Sequence, residues 1–201
     1  ITDFTGLEYF TALQLLEIEG NATTPTIIGF GDLMSIRLFN NAATTVYPDL
    51  PPSINYVGCI SCSSLTSTPT LPPGTTDVLF RDCPLLSSMQ PLPALTNSLW
   101  LENCAALTTL PSLNNISSLT VINTPGFASV TSYPNSLTYL TCNNNNLTSL
   151  AALPSNLNIL NCSNNNISCL PELPSSLDEI VASGNLITCL PNLPASLTNS
   201  D

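Results

Sequence analysis

Apolar and polar positions alternate in short bursts that return at a fixed distance. The clearest bursts are Leu137-Thr-Tyr-Leu140-Thr-Cys142-Asn-Asn-Asn145, Leu157-Asn-Ile-Leu160-Asn-Cys162-Ser-Asn-Asn165 and Leu177-Asp-Glu-Ile180-Val-Ala182-Ser-Gly-Asn185. All three fit L-x-x-L-x-(L/C/A)-x-x-N. The same template fits Leu13/Leu16/Ile18/Asn21, Leu33/Ile36/Leu38/Asn41, Ile54/Val57/Cys59/Cys62, Thr75/Val78/Phe80/Cys83, Thr96/Leu99/Leu101/Cys104 and Ile116/Leu119/Val121/Thr124. The nine units end at residues 21, 41, 62, 83, 104, 124, 145, 165 and 185, so their spacing is 20 or 21 throughout. A constant period of this length marks a stacked repeat architecture.

The period-2 stretch inside each unit predicts a short strand with two inward apolar side chains and outward residues between them. Strands are expected near 13–21, 33–41, 54–62, 75–83, 96–104, 116–124, 137–145, 157–165 and 177–185. One turn cannot bury its own apolar face, whereas stacked turns can, which predicts a single solenoid with one parallel sheet. Proline pairs in the second half of the units fix φ and remove amide donors, so the return path is expected to be extended or polyproline-like, with little α-helix. The inward Asn column at 21, 41, 145, 165 and 185 is expected to satisfy backbone groups of the loop it caps. Cys62, Cys83, Cys104 and Thr124 take the same column in the middle units.

The pattern resembles the leucine-rich repeat family, in its short bacterial form with an L-P-x-L-P second half. The residues that carry the likeness are Leu170-Pro171-Glu172-Leu173-Pro174 and Leu190-Pro191-Asn192-Leu193-Pro194, echoed at Leu71-Pro72, Pro91-Leu92-Pro93, Leu110-Pro111 and Leu153-Pro154. Two branches are similar: cell-surface and secreted proteins of the Bacteroidetes, and secreted effectors of pathogenic bacteria. The run from Asn161 to Pro174 is more like the first. The resemblance implies a β solenoid with its sheet on the concave face; it implies much less about function, because fold does not fix function.

Composition then narrows the chemistry. Of the 201 residues, 13 are Asp or Glu and 2 are Arg, with no Lys or His, giving a net charge of −11. The chain therefore lacks the usual general base, the imidazole metal ligand and the Schiff-base amine. No enzymatic activity and no cofactor are expected. A nucleic-acid partner is disfavoured, since neutralising phosphates takes Lys and Arg. Only 7% of residues are charged, and the polar surface is built from Asn, Ser and Thr. No apolar run approaches the ~18 residues of a membrane span. An extracellular location, at a bacterial cell surface, is expected.

The eight cysteines invite a disulfide or zinc framework. The register instead assigns Cys59, Cys142 and Cys162 to an inward apolar column and Cys62, Cys83 and Cys104 to the Asn column. Cys59 and Cys62 form a lone C-x-x-C whose members fall in two columns, and no second pair completes a zinc site. Cys169 and Cys189 stack one turn apart and are the best-placed pair for a disulfide. Free thiols are nevertheless expected, six to eight in all. The carboxylate pairs Glu17 and Glu19, Asp77 and Asp82, and Asp178 and Glu179 do not converge as a catalytic pair would, and no D-x-D-x-D-G calcium loop is present. Sequons at Asn21, Asn115, Asn146, Asn161 and Asn166 mostly coincide with the repeat consensus.

Outward strand positions tile the concave surface, the usual binding face of repeat proteins. The middle column reads Glu17, Arg37, Gly58, Leu79, Trp100, Thr120, Thr141, Asn161 and Val181. Beside it run Glu19, Phe39, Ile60, Arg81, Glu102 and Ile122, flanked by Tyr56 and Tyr139. Both Arg and the sole Trp fall there, and Trp, Tyr and Arg are the commonest interface anchors. The candidate partner-binding set is Arg37, Phe39, Tyr56, Ile60, Leu79, Arg81, Trp100, Glu102, Ile122 and Tyr139. The expected function is a non-enzymatic protein-interaction or adhesion module, as a subunit of a surface assembly. The alternatives are a glycan- or surface-binding module using Tyr56, Trp100 and Tyr139, and the recognition part of a secreted effector whose catalytic domain lies elsewhere. Residues 1–10 read as the return half of a turn and 196–201 as the start of a tenth strand, so the chain is expected to be a segment of a longer protein.

Overall fold

A computed structural model describes residues 9–20, 27, 30–127 and 130–200. Ten strands follow one another in a single parallel sheet: β1 Leu15–Glu19, β2 Ser35–Phe39, β3 Tyr56–Ile60, β4 Asp77–Arg81, β5 Ser98–Glu102, β6 Ser118–Ile122, β7 Tyr139–Thr141, β8 Ile159–Asn161, β9 Glu179–Val181 and β10 Asn199–Ser200. Their order in space equals their order in sequence. No α-helix occurs among the described residues, and no helix there is long and apolar enough to cross a membrane. The molecule is a leucine-rich repeat β solenoid.

Two inward columns make the core. One runs Leu16, Ile36, Val57, Val78, Leu99, Leu119, Leu140, Leu160 and Ile180 in unbroken register, and the second runs Ile18, Leu38, Cys59, Phe80, Leu101 and Val121. All are buried. The third column, opened by Leu33 and Ile54, contains two threonines where Leu is the rule. Thr75 and Thr96 are buried there, and their hydroxyls donate to the carbonyls of Ile54 and Thr75 one turn back. A polar group is tolerated in the core because its partner repeats with the fold.

Most strands are entered through a turn closed by a proline carbonyl, while Phe10 and Leu113 take that place before β1 and β6. The amides of Ile54, Thr75, Thr96, Leu137, Leu157 and Leu177 donate to Pro51, Pro72, Pro93, Pro134, Pro154 and Pro174. Proline needs no donor of its own at that place, which suits it to a turn that uses only its carbonyl. The return path is extended, and it pairs in parallel at Val46–Ser67–Ser88 and at Cys169–Cys189. Each strand is left through a residue with φ between 46° and 69°: Gly20, Asn40, Ser61, Asp82, Asn103, Asn123, Asn144, Asn164 and Gly184. Glycine, Asn and Asp adopt this left-handed conformation at least cost, which explains the composition of the corner.

Past the corner, two kinds of loop coexist. Asn165 is buried; its Oδ1 accepts from the amides of Asn145 (3.0 Å) and Leu147 (2.9 Å), and its Nδ2 donates to the carbonyls of Cys142 and Cys162, both at 2.9 Å. Asn145 and Asn185 work alike. Where a free cysteine replaces Asn, the thiol keeps the donor role: Cys104 points Sγ at the carbonyls of Glu102 (3.5 Å) and Phe80 (3.6 Å), and Cys83 at Arg81 (3.4 Å). Sulfur cannot replace the amide oxygen, so these loops carry one more residue and close on themselves. Leu65, Leu86 and Leu107 donate to the carbonyls of Cys62, Cys83 and Cys104. Thr124 is the junction, bonded to Cys104 N on one side and to Asn145 Oδ1 on the other. Asn21 lies outside the described residues.

The expected six to eight free thiols are corrected: among the described residues Cys59–Cys62 and Cys169–Cys189 are disulfide-bonded, and Cys83, Cys104, Cys142 and Cys162 are free and buried. Membership of different columns did not keep Cys59 from Cys62, because the corner between them turns the chain and leaves their Cα atoms 6.2 Å apart. Cys169 and Cys189 face each other across a parallel bridge at 5.1 Å, within the ordinary disulfide range. Burial raises the thiol pKa of Cys83 and Cys162 from 9.0 to about 11 and that of Cys104 to about 12.

Two outcomes follow. Asn165→Ala strands two buried amides and should cost at least about 2 kcal/mol in chemical denaturation, whereas the exposed Asn156, which donates only to Asn135, should tolerate Ala within experimental error. Because the buried thiols are raised in the folded state, their contribution is complete below pH 9.0 and is lost as pH climbs toward 11 and 12. The urea midpoint of the unreduced protein should therefore fall between about pH 9 and 12; a flat profile would contradict thiol burial.

Candidate interaction face

The register that builds the core also aligns the outward side chains. Phe39, Ile60, Arg81, Glu102 and Ile122 form one line across β2 to β6. Arg37, Gly58, Leu79 and Trp100 form the next, continuing into Thr120, Thr141, Asn161 and Val181. Tyr56 and Tyr139 stand in a third, on β3 and β7. All ten candidate residues thus share one face of one sheet.

Within that face Arg37 is the best-fixed side chain. Its Nη1 lies 3.0 Å from Glu17 Oε1, and its guanidinium sits over the Tyr56 ring at 4.7 Å. The Tyr56 ring in turn fills the space above Gly58, where an added Cβ would fall 2.9 Å from the ring edge. Arg37, Tyr56 and Gly58 therefore form a packed unit across two strands, with the cation stacked on an aromatic face. Arg81 lies 3.6 Å from the Asp82 carboxylate. Trp100 is 40% exposed and its indole N–H donates to Glu102 Oε2 at 3.1 Å. Tyr139 is 38% exposed.

The expected exposure of the whole middle column is corrected in part. Gly58, Thr120 and Thr141 are buried, Gly58 beneath the Tyr56 ring. The accessible surface is consequently set by Arg37, Leu79 and Trp100 and the line beside them. Leu15, on the outer line of β1 and 46% exposed, extends the apolar surface and was missed, although its place in the alternation matches Tyr56.

Charge divides the face into two halves. Glu17, Glu19, Asp77, Asp82 and Glu102 crowd β1 to β5, and the only two cations of the chain are both engaged there by carboxylates. From residue 103 to 171 no charged residue occurs, so β6 to β8 present only neutral groups. On the opposite side a cleft of about 490 Å³ opens between return segments 109–114 and 130–134, lined by Leu110, Pro111, Val130 and Tyr133 among others, none charged.

Sulfur chemistry gathers at a second place. The Sγ atoms of Cys59, Cys62 and Cys83 lie within 4.8 Å of one another, all buried. Cys83, from the following turn, supplies the third sulfur that a search for a second C-x-x-C does not find. Its place one period after Cys62 in the same column was the available signal.

The chain resembles two solved structures. YopM from Yersinia enterocolitica WA-314 matches with a TM-score of 0.57 and 24% identity, over 90% of this chain and 50% of that one. YopM from Yersinia pestis, described as a leucine-rich effector protein, matches with a TM-score of 0.53 and 26% identity, over 94% of this chain and 65% of that one. The chain thus spans about half to two thirds of the length of these proteins. No protein-family model and no curated protein matches it.

Denatured without reductant, the protein should release four thiols to a chromogenic disulfide reagent; the same assay on native protein should find almost none, since all four are buried. Six or more in the denatured sample would refute the two disulfides.

Proposed function

We propose that this solenoid is a non-enzymatic protein-interaction module whose partner docks on the concave face across β2 to β6. The observation that carries the proposal is the convergence of both arginines and the only tryptophan with Phe39, Ile60, Leu79 and Ile122 on one sheet surface. None of these outward side chains is needed to fill the core, and an apolar strip bordered by charge is the usual composition of an interface centre. With both arginines already paired and a net charge of −11, the surplus on the face is negative. The complementary partner carries Lys or Arg around an apolar centre.

The likeness to YopM supports an interaction role through the fold. Adhesion at a bacterial surface, as part of an extracellular assembly, is our proposal for the setting. It rests on the Asn, Ser and Thr-rich surface, the two disulfides and the resemblance of the Cys-Ser-Asn-Asn segments to surface proteins. A glycan is the second reading, favoured by one observation: Tyr56, Trp100 and Tyr139 stand on every second strand, about 10 Å apart along the sheet.

With a partner copurified from native membranes or secreted medium, Trp100→Ala and Arg81→Glu should each weaken binding by about 2 kcal/mol or more and leave the melting temperature nearly unchanged. Leu101→Ala, which empties a fully buried position, should destabilise the fold by about 2 to 5 kcal/mol. Binding should also weaken as salt is raised. Glycan-array signals lost in Trp100→Ala, without any protein partner, would favour the second reading. Unchanged affinity in both face variants would refute the concave site.

A further inference from the structure

We propose that Cys59, Cys62 and Cys83 form a redox-gated site for one soft, thiolate-preferring cation, Zn²⁺ or Cu⁺, which enters when the Cys59–Cys62 disulfide is reduced. Three sulfurs from two consecutive turns converge within 4.8 Å, a density of donors that the repeat alone does not require. The column that Cys62 and Cys83 occupy is filled elsewhere by Asn41, Thr124, Asn145 and Asn165, all buried in the same way. The backbone therefore tolerates other residues there, and packing does not demand sulfur. Cys59 adds the third donor from the neighbouring inward column.

The donor set selects the class of ion. Thiolate ligands favour Zn²⁺ and Cu⁺, and the cluster contains no carboxylate to attract Ca²⁺ or Mg²⁺. Two surface residues mark the way in: Ser61 and Asp82 immediately precede Cys62 and Cys83 at the corner of each turn, with the Asp82 side chain 41% exposed. The sulfurs thus lie one residue beneath an edge that carries a carboxylate.

Opening the site is a two-electron step. A dithiol reductant gives up two electrons and two protons, the Cys59–Cys62 bond breaks, and the reductant leaves as a cyclic disulfide while two thiols form. The cation then displaces the thiol protons to solvent as the metal–sulfur bonds form. Its positive charge replaces those protons, offsetting the cost of placing thiolates in an apolar interior. A small-molecule disulfide accepts two electrons back through thiol–disulfide exchange and leaves as two thiols, the Cys59–Cys62 bond re-forms, and the loss of two of the three donors releases the ion.

The test uses the whole chain, treated with dithiothreitol under argon and desalted, then titrated with Zn²⁺ or, separately, with Cu⁺ as its acetonitrile complex. After gel filtration the metal is quantified, and X-ray absorption counts the sulfur neighbours. One ion per reduced chain with three sulfur neighbours, and none on the disulfide form, is expected from at least one arm. The two arms identify the ion. Cys83→Thr, which copies the residue found in this column at Thr124, should abolish retention with an unchanged circular-dichroism spectrum, while Cys104→Thr and the Cys142→Val, Cys162→Val double variant should retain the ion. Failure of both ions to bind, binding to the disulfide form, or binding that survives Cys83→Thr overturns the proposal. Should Cys83→Thr misfold, the sulfur count of the wild type decides, three supporting the site and two or fewer refuting it.

Discussion

Every turn of this solenoid must dispose of backbone amides and carbonyls that point inward where the chain leaves its strand. Water does not reach them, and leaving them unpaired would cost more than any one apolar contact returns. In the turns from Cys83 to Asn185 one side chain helps meet that demand. At Asn145, Asn165 and Asn185 the side chain both accepts and donates, and a short loop suffices, whereas buried Asn41 leaves both amide atoms without a partner; with Cys or Thr the acceptor is lost or displaced, and the loop needs one more residue to satisfy its own amide. The strands are five residues long from β1 to β6 and three from β7 to β9.

Because packing and hydrogen bonding are discharged on the inner side, the outward positions of the strands carry no such duty. That freedom lets a chain with only two cations place both on one face, and lets a large indole stand in solvent tethered to Glu102. The acidic half and the neutral half of the face differ in outward residues alone. The core columns beneath them run through without a break.

The register was legible because a strand has period two and a turn has a nearly constant length, so columns assigned from Leu13 to Asn185 translate directly into neighbours. The two arginines, the tryptophan and both tyrosines were placed by that arithmetic. Depth within a column was less legible. Thr120 and Thr141 have the same alternation as Trp100, yet they are buried. Sulfur pairing was not legible at all for Cys59 and Cys62, since a column states which way a side chain points and says nothing of how a left-handed corner at Ser61 folds two columns toward each other. The prolines were expected to stiffen the return path; that their carbonyls close the turn into most of the strands emerges only from the hydrogen bonds.

Each strand touches only the strands before and after it. A chain built this way is divisible. Excising one complete period from the interior brings together two cut ends that still match in all columns, whereas deleting a single residue from within a strand turns the rest of that strand's side chains onto the wrong face. Gene duplication and loss can therefore lengthen or shorten the molecule in whole turns, moving an outward residue to a new place along the face without touching the interior. The seam at Thr124, where the two kinds of loop meet, is one place that constrains such editing, because its neighbours must supply a Cys104 amide on one side and an Asn145 oxygen on the other.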